Sequence, residues 1–396
     1  MEGTHSYPLA IMGLPLHSLT MQQAIDTIEG MIHSGSVHQV CTVNLDIWLN
    51  ALDDPHLHRI MAGCSLVVPD GMPLVWASGM LGTPLAERVT GVDMVPRLAE
   101  LSARKGYRIF LLGGRPGVAE RAGKLLERNY PGVQIVGAYA PAKDNLICMD
   151  HDEILKRVHE ARPDILLVAF GNPKQEKWIW MHRKRLGVPV AIGVGGSFDI
   201  LVGDTRRAPR LLQRCGLEWA MRFLQEPVRL GPRYLRDFVG LVRHLPAALL
   251  AAWLQPCYNG PSNLLTSSAP ELLHVHVEGK LSTELHAPLM EATEQCLRES
   301  RVMVVHLQKL RRITPVGLGI LMEARRRLLD AGLSLLLSGL ALRTRLLLYA
   351  WCAQPLFDEW QSAFQPGRPL TDFRPETQTA LNAKPETAAA EIRLRN

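Results

Sequence analysis

From about residue 9 to residue 200 the hydrophobic positions fall into two alternating patterns. Short runs of nearly continuous apolar character occur at His38–Val43, Leu66–Val68, Arg108–Leu112, Val133–Ala138, Ile165–Ala169 and Val188–Val194. Between them lie helix-length segments such as Met94–Lys105, Val118–Tyr130 and Asp152–Ala161. Runs such as ILLVAF, apolar at every position, suit strands covered on both faces. Strands alternating with helices build βαβ units around a parallel sheet. The expected fold class is α/β, with a Rossmann-like parallel sheet occupying residues 1–202.

After Gly203 the pattern changes. Residues 203–255 read as arginine-rich helices: Arg206, Arg207, Arg210, Arg214, Arg222, Arg229, Arg233, Arg236 and Arg243 are accompanied by no lysine and by only Asp204, Glu218, Glu226 and Asp237. Arginine holds phosphates through a planar fork of donors, so this composition fits a diphosphate better than a generic charged face. Interleaved Trp219, Phe223, Leu230, Tyr234, Leu235 and Phe238 make the segment amphipathic, as at a membrane interface. Phe238–Leu254 comes nearest to a membrane span, but Arg243, His244 and Pro246 interrupt it, so it is expected to lie on a bilayer and not to cross one. Residues 256–270, rich in Pro, Ser, Asn and Gly, read as a linker. A second small α/β unit is expected over 271–365, from strands at Leu272–Val277, Val302–Leu307 and Ser334–Leu337 and helices at Thr283–Glu299, Val316–Ala331 and Ala341–Cys352. The polar tail 366–396 reads as disordered.

The net charge of +6 is mild, and no nucleic-acid motif accompanies the basic segment, so nucleic acid is not an expected partner. Seven cysteines, widely spaced and without a CxxC pair, argue against a disulfide framework or a zinc site and suit a reducing cytoplasm. The first residues lack the basic leader and apolar core of a signal peptide.

Ligands of open α/β sheets sit at the carboxyl ends of the strands. Here those ends carry Thr42 and Asn44, then Pro69-Asp70-Gly71, Gly113-Gly114-Arg115-Pro116-Gly117, Gly171-Asn172-Pro173-Lys174-Gln175-Glu176, and Gly195-Gly196-Ser197-Phe198-Asp199. Each turn alone is also explained as a tight strand-to-helix connection. Together they describe a cleft floor able to bind a nucleotide.

The segments TVNLD (42–46), VVPDGMPLVW (67–76), ERVTGVDM (87–94), FLLGGRPGVAE (110–120), GNPKQEKW (171–178), GVGGSFDILVGDTRRAP (193–209) and GLEWAMRFLQEPVRLGPRY (216–234) resemble the WecG/TagA/CpsF family of bacterial glycosyltransferases across roughly residues 9–245. The resemblance implies inverting transfer of an N-acetylmannosamine-type or related sugar from a UDP-sugar to a polyprenyl-diphosphate-linked saccharide, without a metal or other cofactor. It also implies a peripheral place on the cytoplasmic face of an anionic membrane. Inversion needs a carboxylate to take the acceptor proton, and Asp70 is the candidate base; its alternative role is to cap the helix that follows. Thr42, Asn44 and Arg88 are candidates for substrate binding, as are Arg207, Arg222, Arg229 and Arg233 in the appendage that family members carry. Gly113, Gly114, Gly171, Pro173, Gln175, Gly195 and Asp199 are candidates for the nucleotide. Asp150-His151-Asp152 matches the metal-binding DxD pattern of other glycosyltransferases, but it opens a helix after a loop and reads as a cap.

The segments VHVEGKLST (275–283), VMVVHLQKL (302–310) and ITPVGLGILMEARRRLLDAG (313–332) resemble a STAS domain. Where such regulators carry a phosphate-accepting serine this chain has Pro315, which has no hydroxyl. The unit is therefore expected to dock a protein partner or a second copy without a phospho-switch, through the helix starting near Val316. A catalytically silent scaffold is the alternative function. A nucleotide-dependent oxidoreductase fits poorly, since no GxGxxG turn with a following ribose-binding acid is present.

Overall fold

The computed structural model describes residues 8–353 except 143–144, 210–211, 214–215, 217 and 226; the side chains of Arg222 and Arg229 also lie outside the described set. All six strands expected in the first part of the chain are present: β3 (His38–Val43), β4 (Leu66–Pro69), β5 (Arg108–Gly113), β6 (Gln134–Tyr139), β7 (Ile165–Ala169) and β8 (Val190–Gly193). They form one parallel sheet in the order β4-β3-β8-β7-β5-β6. A hairpin of β1 (Pro8–Ile11) and β2 (Leu14–His17), not foreseen from the sequence, precedes it. The helices of this region are α1 (Met21–Ile32), α2 (Leu45–Asp53), α3 (Pro55–Gly63), α4 (Met72–Met80), α5 (Gly91–Lys105), α6 (Val118–Asn129), α7 (His151–Ala161), α8 (Lys174–Leu186) and α9 (Ser197–Leu201).

Strand alternation assigns each face of the sheet. Ile109, Leu111, Ile165, Leu167, Val190 and Ile192 pack with α6 through Val118, Ala122 and Leu126. The residues between them, Phe110, Leu112, Leu166, Val168 and Ala191, pack with α7 and α8 through Ile154, Val158 and Trp178. The chain leaves β5 toward β6 on one side and leaves β7 toward β8 on the other. The boundary between β5 and β7 is thus the switch point where such sheets open a crevice.

The arginine-rich segment folds as α10 (Glu218–Gln225) and the long α11 (Pro227–Trp253), which continues through Pro232 and Pro246. Among the described residues no helix is long and apolar enough to cross a membrane.

A second sheet, β12-β11-β10-β9, follows, built from β9 (Asn263–Ser268), β10 (Leu272–Leu281), β11 (Val302–Ile313) and β12 (Leu335–Ser338). Its helices are α12 (His286–Glu299), α13 (Pro315–Asp330) and α14 (Leu342–Ala350), with a short 3-10 turn at Thr283–Leu285. Two expectations need correction. The stretch 256–270 is not wholly linker: β9 lies within it and pairs antiparallel with β10, because Leu273–Glu278 offers an open edge that the preceding polar residues can satisfy with backbone bonds alone. The tail expected to be disordered lies outside the described residues.

The second correction concerns α13. Thr314 caps this helix, accepting from Gly317 N–H at 3.0 Å and donating to Leu281 O at 3.0 Å, and Pro315 takes the first helical position where no N–H is needed. The helix expected to face a partner instead packs on the hairpin of its own chain. At Gly319 the backbone of Pro8 and Ala10 lies where a Cβ would be, and Ala10 and Ala62 join the cluster formed by Leu318, Leu321 and Leu328. Beside that contact Glu323 and Arg326 form a buried pair at 2.8 Å, and Asp330 bonds Arg326 at 3.0 Å and approaches Arg183 of α8 at 3.8 Å. Burial opposes ionisation of Glu323, but the bond and charge of Arg326, with Arg327, overcome it and hold its pKa at about 2.

Gly319→Ala tests this packing by its sign. In a helix free of neighbours alanine would add about 1 kcal/mol of stability. Against the Pro8 carbonyl it should cost about 1–3 kcal/mol, read from denaturant unfolding of the full chain.

Candidate active site

Because the first sheet is parallel, all its carboxyl ends lie on one edge. Asp70 follows β4 there, its N–H bonded to Val43 O at 2.8 Å, beside Asn44 at the end of β3. Gly71 keeps this corner narrow: a Cβ on it would stand 3.3 Å from Asn44 Cα. Gly71, and not Asp70, occupies the N-cap position of α4. Asn44 does cap α2, accepting from Ile47 N–H at 3.0 Å. Thr42 is buried and donates to Gly193 O at 3.2 Å, joining β3 to β8; it does not stand open to a substrate.

Three strands along the same edge, Gly113, Gly114, Gly171, Gly195 and Asp199 line a cavity of about 200 Å³ together with Arg115, Ala169, Phe170 and Lys174. It lies at the β5/β7 switch point. Gly113, with φ 101°, is held against Ala169 O, and Gly114, Gly171 and Gly195 also have positive φ. Arg115 donates to Asp199 at 2.7 Å and to Asp204 at 2.9 Å. Lys174 stands 5.5 Å from the centre of the Phe170 ring.

Helix starts in the first part of the chain are of two kinds, and both occur along this edge. Thr20, Asn44, Asp54, Thr90 and Asp150 each cap a helix with a side-chain bond. At α4, α6, α8 and α9 the N-caps are Gly71, Gly117, Pro173 and Gly196, and no side chain caps any of them. Helix starts whose N-cap residue offers no side-chain acceptor, with the positive end of the helix dipole behind them, favour a bound anion; in α8 the Glu176 carboxylate accepts from its own N–H.

Two of the residues expected at the nucleotide sit behind the cavity. Gln175 is buried, and its Oε1 accepts from Gly171 N–H at 3.2 Å and from Gly195 N–H at 3.0 Å. It fastens the β7 and β8 loops to each other and is not free to read a base or ribose. Pro173 follows a cis peptide bond with Asn172 and does not line the cavity. Neighbouring Glu176 went unnoticed in the sequence because only burial marks it. It accepts from Gln175 Nε2 at 2.8 Å and from Asn172 Nδ2 at 3.0 Å, and burial pushes its pKa up to about 7. Arg115 and Lys174 were also missed as separate residues, although a cation just after a glycine-rich strand end was visible in both turns.

The arginines expected to meet substrate are held by carboxylates. Arg88 donates to Glu218 of α10 at 3.1 Å. Arg207 forks onto Asp93 with both bonds at 2.6 Å, and Thr90 donates to the same carboxylate at 2.7 Å. The Asp93 bond raises the pKa of Arg207 against partial burial, and the charges of Asp93, Glu218 and Asp70 add to it. Arg207 therefore lies within the field of Asp70. Arg233 pairs with Asp46 at 3.2 Å and, with Arg236, binds α11 to the first turn of α2. The side chains of Arg222 on α10 and Arg229 on α11 lie outside the described set. Asp150 caps α7, accepting from Glu153 N–H at 3.0 Å, and Asp152 pairs with Arg185 at 2.9 Å, as the capping reading of that motif required.

Residues 9–255 match the family model of glycosyl transferases of the WecG/TagA/CpsF family. The chain belongs to that family. It is 32% identical over 223 residues, 56% of this chain and 83% of the relative, to an N-acetylglucosaminyldiphosphoundecaprenol N-acetyl-beta-D-mannosaminyltransferase of Bacillus spizizenii. Proteins of the same description from two Staphylococcus aureus strains are 28% identical over 232 residues, 58% of this chain and 89% of theirs. This WecG/TagA/CpsF protein is accordingly a hexosyltransferase. The matched span contains the whole edge described above, and it ends with α11 and its last turn.

Glu176 has a pH signature whose sign is set by its raised pKa. The folded state holds the Glu176 proton more tightly than the unfolded chain, where the ordinary value is 4.5. Its stabilising contribution is therefore complete below about pH 4.5 and is lost as pH rises through about 7. Melting curves should show the native chain losing on the order of 3 kcal/mol relative to Glu176→Gln between about pH 5 and about pH 8. Parallel pH profiles for the two proteins would remove Glu176 from this role.

Proposed function

We propose that this glycosyltransferase moves an N-acetylmannosamine-type or related hexose from a UDP-sugar to a polyprenyl-diphosphate-linked saccharide, with inversion, in the assembly of a surface or secreted polysaccharide. The observation that carries this reading is the division of labour along one sheet edge. A cavity with Arg115, Lys174 and the uncapped starts of α6, α8 and α9 suits a nucleoside diphosphate. A carboxylate, Asp70, stands at the strand two places beyond β8, about 10 Å away by strand spacing. That span suits a donor whose diphosphate lies in the cavity and whose sugar reaches toward Asp70. The names of the relatives supply the acceptor class and the sugar.

In the proposed reaction the acceptor hydroxyl oxygen bonds to the anomeric carbon while Asp70 takes its proton. The bond from that carbon to the diphosphate oxygen breaks, and UDP leaves with the electron pair. Arg115, Lys174 and the helix N–H groups offset the charge that develops on the leaving group. Arg207, held by Asp93, lies within the field of Asp70. Because this donor set supplies the neutralisation, the reaction is proposed to need no metal.

The Arg-rich α10 and α11 are read as the appendage that brings this edge to a bilayer on its cytoplasmic side. Trp219, Phe223, Leu235, Phe238, Val239 and Val242 are exposed there. The C-terminal sheet with α12 and α13 is read as the STAS-like unit, attached to the transferase through α13.

Asp70→Asn should lower turnover about 10²–10⁴-fold with UDP affinity nearly unchanged. UDP release from a panel of UDP-sugars, with and without a short-chain polyprenyl-diphosphate-GlcNAc acceptor, measures both. Near-normal turnover in this variant would take the base assignment away from Asp70. Activity should persist in EDTA; loss that Mg²⁺ or Mn²⁺ restores would overturn the metal-free mechanism.

A further inference from the structure

Apolar exposure does not stop with the matched part of the chain. The last turns of α11 leave Leu250, Trp253 and Leu254 exposed, Trp253 at 80%. Beside them lies α14 of the C-terminal unit, whose Arg343 guanidinium donates to Leu254 O. Leu347 and Leu348 of α14 enter the core, while Leu342, Leu346 and Tyr349, at helical spacing of four and three, face outward. Between α11, α14 and the end of β11 is a cavity of about 330 Å³. Leu254, Leu310, Ile313 and Leu346 are among its apolar lining, Arg311, Arg312 and Arg343 supply charge, and among the described residues no acid lines it. Arg345 is exposed on the same helix, and Arg312 Nε is buried without a hydrogen-bond partner.

We propose that this end of the C-terminal unit docks on an anionic phospholipid bilayer, so that the two parts of the chain share one membrane face. Leu250, Leu342 and Leu346 enter the interfacial layer, Trp253 and Tyr349 sit at headgroup depth, and Arg311, Arg343 and Arg345 meet lipid phosphates. Charge complementarity selects this occupant. The patch carries cations and amphipathic aromatics together, the composition of surfaces that lie in a membrane interface. Arginines in protein contacts of this chain are paired with carboxylates, as Arg88 and Arg207 are. The face stands apart from the edge that holds Asp70, so the inference holds whether or not the transfer reaction proposed above is correct.

The test is sedimentation of the full chain with phosphatidylcholine vesicles, with and without phosphatidylglycerol, in the absence of any sugar nucleotide. Binding should require the anionic lipid and weaken with salt. Arg311→Ala with Arg345→Ala should weaken it about fivefold per arginine, and Leu342→Glu with Leu346→Glu about tenfold or more. All four residues are exposed, so melting temperatures should match the native chain. Brominated lipid should quench a component of the tryptophan emission that Trp253→Phe removes. Unchanged vesicle binding in both double variants would overturn the proposal. So would unchanged binding accompanied by a smaller oligomer on gel filtration, which would assign the face to a second copy of the chain. Vesicle binding without sugar transfer would leave this inference standing and remove the transferase mechanism instead.

Discussion

Burial of the parallel sheet on both faces is the constraint from which the rest of the molecule follows. With α6 on one side and α7 and α8 on the other, Ile109 to Gly113 and Ile165 to Ala169 have no solvent face on which polar chemistry could be placed. Polar residues that follow the strands are therefore gathered at the edge where the strands end. There the backbone must turn sharply into helices, and it does so through glycines with positive φ at Gly113, Gly114, Gly171 and Gly195. The same turns leave helix starts without side-chain caps. Strand ends and helix starts are thus gathered at one sheet edge by one geometry.

That edge is held together by buried polar groups. Gln175 accepts the N–H groups of Gly171 and Gly195 and so keeps two loops at a constant separation. Glu176 closes the same network through Gln175 and Asn172, and Gln39 donates to the Glu176 carbonyl at 3.1 Å from the middle of the sheet. Buried polar networks of this kind stabilise when every member is paired and are costly when one is not. The elevated pKa of Glu176 is the sign of that cost.

Carboxylates also decide how α10 and α11 sit. Glu218 on α10 meets Arg88, and Asp93 at the start of α5 meets the fork of Arg207, so this part of the chain is fixed to the core by partly buried pairs and not by apolar contact alone. On the opposite flank Arg233 and Arg236 meet Asp46. Arginines that composition alone would assign to phosphates are in part structural ties. The outer face of α11 is left with its apolar side chains turned to solvent.

The sequence by itself determined the local elements and the family. Apolar runs located the strands of the parallel sheet, most plainly β5 and β7, where two-sided burial removes the alternation that would blur them. Glycine and proline marked the turns, and the ordered motifs from TVNLD to GLEWAMRFLQEPVRLGPRY carried the family because they are read residue by residue. The side-chain partners were decided only in the tertiary structure. Thr42 and Gln175 lie among site motifs but point into the protein, a matter of orientation that sequence order does not encode. The strand β9 in an apparent linker exists because β10 offers it an edge. Helix α13 meets the chain's own hairpin because Gly319 admits the Pro8 backbone, a contact between positions more than three hundred residues apart. Such pairings depend on how finished elements pack, and no local pattern of hydrophobic and polar residues specifies them.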